Sequence, residues 1–107
     1  MPRNIKRILY ELKKGLAAIY GDQLKALILF GSYARGDAHP PDSDIDVLIV
    51  LKGEFNYWDM DKRCSEFVAA LCLENDVVIS RKLASETVYA NSKMPLYINV
   101  RKEGVTV

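Results

Sequence analysis

Lys25-Ala26-Leu27-Ile28-Leu29-Phe30-Gly31-Ser32 is followed, after a segment of small, polar and proline residues from Tyr33 to Ser43, by Asp44-Ile45-Asp46-Val47-Leu48-Ile49-Val50-Leu51. The first run is short, apolar and broken sharply by glycine, which predicts a buried strand. The second is apolar beyond its first three positions, as in a strand buried on both faces. Side chains alternate along a strand, so Asp44 and Asp46 project from one face at its mouth.

Upstream, Ile5, Ile8, Leu9, Leu12, Leu16 and Ile19 recur at helical spacing, which predicts an amphipathic helix from Asn4, as N-cap, to Tyr20, stopped by Gly21. Its polar face, with Lys6, Arg7, Lys13 and Lys14, reads as solvated. Downstream, the segment from Asn56 to Asn75 has no proline or glycine and is roughly periodic, a second long helix, and Asp76-Val77-Val78-Ile79 then reads as a third strand. Ser85 with Thr87 and Val88 opens a short helix, and Pro95 opens another that ends near Gly104.

A strand, a helix and a strand in succession form a right-handed crossover with the two strands parallel. The expected architecture is therefore one α/β (α+β) domain over residues 1–107, a small mixed sheet flanked by helices. Parallel pairing puts Asp76 at the same sheet edge as Asp44 and Asp46, across a gap of about 4.8 Å. Antiparallel pairing of the first strand with the second brings Gly31-Ser32 to that edge too. Carboxylates about 6.6 Å apart along a strand can converge on a pair of magnesium ions. Magnesium takes hard oxygen ligands and fills its other positions with water or phosphate. Gly31 lets the backbone approach a phosphate closely, and Ser32, as cap of a short helix from Tyr33 to Arg35, offers its hydroxyl and the first amides.

Gly31-Ser32-Tyr33-Ala34-Arg35-Gly36 followed by Ser43-Asp44-Ile45-Asp46 resembles the signature of the minimal nucleotidyltransferases, in the DNA polymerase beta-like superfamily. The likeness extends through Asp76 into Pro95-Leu96-Tyr97-Ile98-Asn99-Val100 and Glu103-Gly104-Val105. It implies the polymerase beta-like fold, with Asp44, Asp46 and Asp76 as catalytic metal ligands for two Mg2+ ions, Asp76 activating the attacking hydroxyl. It further implies that Gly31 and Ser32 bind the nucleotide phosphates, with Arg35 holding phosphate or the partner, and that ATP is the substrate. Stand-alone relatives are encoded beside a HEPN-type ribonuclease toxin, so the resemblance points to an antitoxin that adenylylates a tyrosine of that partner. The spacing from Ser32 to Asp44 is one residue longer than the family pattern, so the loop with Ala38-His39-Pro40-Pro41-Asp42 is expected to bulge.

Fifteen basic and fourteen acidic residues give a net charge of +1, which makes no case for long nucleic acid. Cys64 and Cys72, eight apart in a helix, match neither zinc nor disulfide spacing and read as reduced packing residues on different sides of it. The opening residues lack the apolar stretch of a signal peptide and nowhere is the chain apolar for long enough to span a bilayer, so a cytoplasmic location with no membrane partner is expected. Self-association is allowed by the apolar surface of so small a domain. His39 reads as an exposed loop residue. Phe55, Tyr57 and Trp58 read as core or partner surface, and Arg81 and Lys82 as solvated. Two other functions compete: a non-catalytic module that neutralises a partner by covering it, and a small-molecule transferase acting on an aminoglycoside-like alcohol. The second is weakened because the sequence shows no separate acceptor domain.

Overall fold

The computed structural model describes residues 1–40 and 42–107. Helix α1 (Arg3–Tyr20) leads through a 3-10 turn (Gly21–Gln23) to strand β1 (Leu24–Phe30), the short helix α2 (Ser32–Arg35) and strand β2 (Ile45–Leu51). Helix α3 (Tyr57–Asn75), strand β3 (Ile79–Ser85), helices α4 (Glu86–Asn91) and α5 (Pro95–Glu103) and strand β4 (Val105–Thr106) complete it. The sheet order is β3-β2-β1-β4, with β1 antiparallel to β2 and β4, and β2 parallel to β3. The expected mixed sheet, its antiparallel first pair and its parallel crossover are all present.

Alternation along the central strands sorts the core into two layers. Leu27, Leu29, Val47, Ile49 and Leu51 face α1 and α3, where Ile8, Leu12, Leu16 and Val68 meet them. Ile28, Leu48 and Val50 face the other way, onto Tyr97 and Val100 of α5. Both faces of β2 are thus covered, which is why its sequence shows no polar alternation beyond Asp46.

Helix boundaries differ from the sequence reading in small ways. Asn4 lies inside the first turn of α1, because the helix begins at Arg3, while Gly21 ends it at φ 58°. Asn56 caps α3 by accepting a hydrogen bond from the Asp59 amide at 3.1 Å. Ser85 likewise caps α4 through the Val88 amide. Both cysteines are free as expected, Cys64 buried in the core and Cys72 half-buried against it.

α1 and α3 are held together by shape and one buried polar contact. A Cβ on Gly15 would overlap the Phe67 ring, so the absent side chain is what lets the two helices approach. The Tyr20 hydroxyl donates to the Met60 carbonyl at 2.6 Å within the buried interface, and the Arg63 guanidinium lies over the Tyr20 ring. Replacing Tyr20 by phenylalanine leaves that carbonyl without its buried donor. Chemical denaturation of Tyr20→Phe should show a loss of about 1–2 kcal/mol with an unchanged m-value.

Candidate active site

The register of β1 with β2 sets Phe30 opposite Asp46, so the end of one strand and the start of the other meet at one edge of the sheet. There the chain turns at Gly31, whose φ of 75° lies in the region that side chains disfavour. A Cβ at Gly31 would overlap the Asp46 carboxylate, so the turn is packed directly on the acid. Gly31 itself caps α2, and its carbonyl accepts from the amides of Ala34 and Arg35. This corrects the expectation for Ser32, which is the first residue of the helix and not its cap.

Gly31, Ser32, Arg35 and Asp46 line one cleft of about 350 Å³. Its opposite wall is α5, through Leu96, Asn99, Val100 and Glu103. Asn99 and Glu103 have no role assigned from sequence. Their spacing of four, with apolar Leu96 and Val100 at matching helical positions, is the signal that one face of α5 carries both. Arg35 is tethered by acids, 3.3 Å from Asp37 and 3.9 Å from Glu103, and stays about half exposed.

Asp46 carries the electrostatic signature of the site. Burial raises its carboxyl above the ordinary range, the Asp44 charge raises it further, and Arg35 pulls it back. Asp44 immediately precedes β2 and is exposed, two positions before Asp46 and on the same face.

Asp76 is not brought to this group. The chain is still ending α3 there: Asp76 has φ 52°, and the amides of Asp76 and Val77 both bond the Cys72 carbonyl, a helix terminus of the Schellman kind. Strand pairing starts only at Ile79, beside Ile45. The expectation of a strand opening at Asp76 therefore fails by three residues. Asp76 instead lines a separate cavity with Ile5, Tyr33 and Ser43, on the α1 side of the sheet. Among the described residues, no three side chains of His, Cys, Asp or Glu lie together in a group able to hold a metal.

The remaining sequence candidates lie elsewhere. Arg81 is in β3, with its guanidinium on the α3 face, paired in bidentate fashion with Asp61 at 2.9 and 3.1 Å and so not solvated. His39 is exposed, and its carbonyl accepts from the amides of Asp42 and Ser43; Pro41 of the loop expected to bulge lies outside the described residues. Phe55 and Tyr57 line a different depression with Gly53 and Ser85, beyond the far ends of β2 and β3, and Trp58 is 80% exposed. No helix among the described residues is long and apolar enough to cross a membrane.

A family model for the nucleotidyltransferase domain matches residues 9–103, spanning both strands of the site and the α5 wall. The chain belongs to this nucleotidyltransferase family. Two Methanocaldococcus jannaschii proteins, each named "putative protein adenylyltransferase", are similar over most of their length. One is 37% identical over 78% of this chain and 83% of its own; the other is 36% identical over 94% and 95%. The crystal structure of "a putative nucleotidyltransferase" from Sulfolobus solfataricus superposes with a TM-score of 0.66 at 25% identity, covering 94% of this chain and 76% of that one. A toxin-antitoxin structure with AMP-PNP shares the fold at a TM-score of 0.56 and 20% identity, over 90% of this chain and 69% of that one.

Two outcomes follow for this nucleotidyltransferase. Because the Asp46 carboxyl is raised in the folded state, the unfolded chain loses its proton first and stability falls as pH rises from the ordinary carboxylate range through the raised value. Asp46→Asn removes that penalty, so its Tm should exceed the native value by about 1–2 °C at neutral pH, with partial exposure keeping the effect small. The gain should vanish at about pH 3, where both states are protonated. Gly31→Ala should lower stability by about 1–2 kcal/mol in urea titrations, since it adds backbone strain and displaces the acid.

Proposed function

We propose that this nucleotidyltransferase transfers AMP from ATP to a hydroxyl of a partner protein, a tyrosine of a HEPN-type toxin, and so acts as its antitoxin. The observation that carries the reading is the packing of the Gly31 turn on Asp46, with Ser32 and Arg35 in the same cleft. It gives a phosphate two neighbours that it needs: backbone with no side chain in the way, and carboxylates that a cation can bridge to it. The adenylyl group and the protein acceptor are suggested by the names of the Methanocaldococcus relatives. The toxin partner is suggested by the toxin-antitoxin structures that share the fold.

The residues suit magnesium bound together with a nucleotide. Asp44 and Asp46 offer only hard oxygens, and an ion held by one or two carboxylates completes its shell with phosphate oxygens and water. When bound, magnesium neutralises triphosphate charge and sharpens a nearby hydroxyl as nucleophile. Asp44 and Asp46 would hold it. Gly31 admits the phosphates, the Ser32 hydroxyl donates to their oxygens, and Arg35 moves its charge from Asp37 and Glu103 onto them. Leu96, Asn99 and Val100 form the wall against which the nucleoside rests. The acceptor oxygen forms its bond to the α-phosphorus as the bond to the bridging oxygen of the β-phosphate breaks; pyrophosphate leaves and the hydroxyl proton passes ultimately to solvent water.

A non-catalytic antitoxin is the second reading, and the separation of Asp76 from the other two acids is the observation that favours it. The two diverge on one variant. Incubated with ATP, magnesium and a HEPN-type toxin that it neutralises, the native chain should add AMP masses to the toxin by mass spectrometry, and the Asp44→Asn, Asp46→Asn double variant should add none, a loss of at least about 1000-fold. A double variant that still neutralises the toxin, with no mass added by the native chain, establishes the second reading instead.

A further inference from the structure

The parallel register of β2 and β3 identifies what stands in place of a third acid. Asp46 is paired with Ser80, Ile45 with Ile79, and Leu48 with Lys82. Neighbours in a parallel pair point to the same face, about 4.8 Å apart, so the side chain beside the Asp46 carboxylate is a serine hydroxyl, and the next one along that face is a lysine. Ser80 and Lys82 are both exposed, and β3 is the edge of the sheet. Val78, whose carbonyl accepts from the Ile45 amide just before the paired register begins, is 59% exposed and offers no carboxylate. Beside Asp46, the edge strand β3 therefore presents a hydroxyl and a cation to solvent, where a base for the acceptor proton would be needed.

Resting on the proposed function, we propose that this site is a two-carboxylate site, completed by a carboxylate that the acceptor protein brings to the open position at Ser80, beside Lys82. The substrate class is then a hydroxyl residue in an acidic segment. The acceptor oxygen bonds to the α-phosphorus, its proton passes to the acceptor's own carboxylate, and the bond to pyrophosphate breaks. Lys82 draws the acidic segment to the edge, and Ser80 leaves room for it.

Manganese binding tests this without turnover. With a non-hydrolysable ATP analogue, the native chain should bind about one Mn2+ by electron paramagnetic resonance and Ser80→Asp about two. Asp76→Asn should match the native chain. Asp46→Asn is the control: if it binds Mn2+ and analogue as the native chain does, the proposed active site itself is wrong. If it loses binding, but the native chain holds two ions or Asp76→Asn loses one, only the present inference is overturned. In a second arm, tyrosine peptides with a flanking aspartate should be adenylylated at least about 10-fold faster than their asparagine counterparts by the native chain, and Ser80→Asp should narrow that ratio. Equal rates with the native chain overturn the proposal. A cooperative thermal melt of Ser80→Asp, at a Tm slightly below the native value because of the added like charge, shows that the exposed substitution leaves the fold intact.

Discussion

The contact between the Gly31 turn and the Asp46 carboxylate is the constraint on which the rest of the site depends. It exists because β1 and β2 are antiparallel with Phe30 opposite Asp46, so a strand's end and its neighbour's start coincide. A side chain at Gly31 would occupy the space of the carboxylate. The acid and the turn are therefore one unit, and the short helix α2 can begin there only because the backbone takes a positive φ at Gly31.

That unit is anchored by packing on both sides of the sheet. The α1 and α3 layer buries one face of β2, and α5 covers the other through Tyr97 and Val100. α5 is brought over the cleft by the turn at Gly104, where a Cβ would overlap the Val100 carbonyl and Ile28, and by β4, which pairs with β1 at Ile28 and Leu29. The last residues of the fold thus position a wall of the cleft whose acids come from its middle. Loosening β4 would act on Asn99 and Glu103 before it reached Asp46.

What could be read from the sequence followed from burial. The central strands are apolar because both faces are covered, and the Asp-x-Asp pair stands out against them, so strand pairing predicts Gly31, Ser32 and Asp46 at one edge, where they line one cleft; Arg35 enters only through the family resemblance. β3 was misplaced because it is an edge strand. Its Ile79-Ser80-Arg81-Lys82-Leu83-Ala84-Ser85 is polar at the positions facing solvent and the Asp61 pair, whereas Val77-Val78 just before it looks like a buried strand. Val78 is in fact exposed. The helix terminus at Asp76 is of the kind usually marked by glycine, and aspartate there gives no such signal. β4 spans two residues, too few for any periodicity to register.

The electrostatics of the cleft then explain why so small a fold needs its substrates to finish the site. Desolvation and the Asp44 charge both disfavour ionised Asp46, and Arg35, the cation that opposes them, is itself shared with Asp37 and Glu103. Two like charges held near each other are an arrangement found where a ligand of opposite sign binds. A third carboxylate on β3 would deepen that repulsion in the free chain. Serine at position 80 avoids it, at the cost of leaving the acceptor side without a base. Serine there leaves the last part of the chemistry to whatever binds at the open edge.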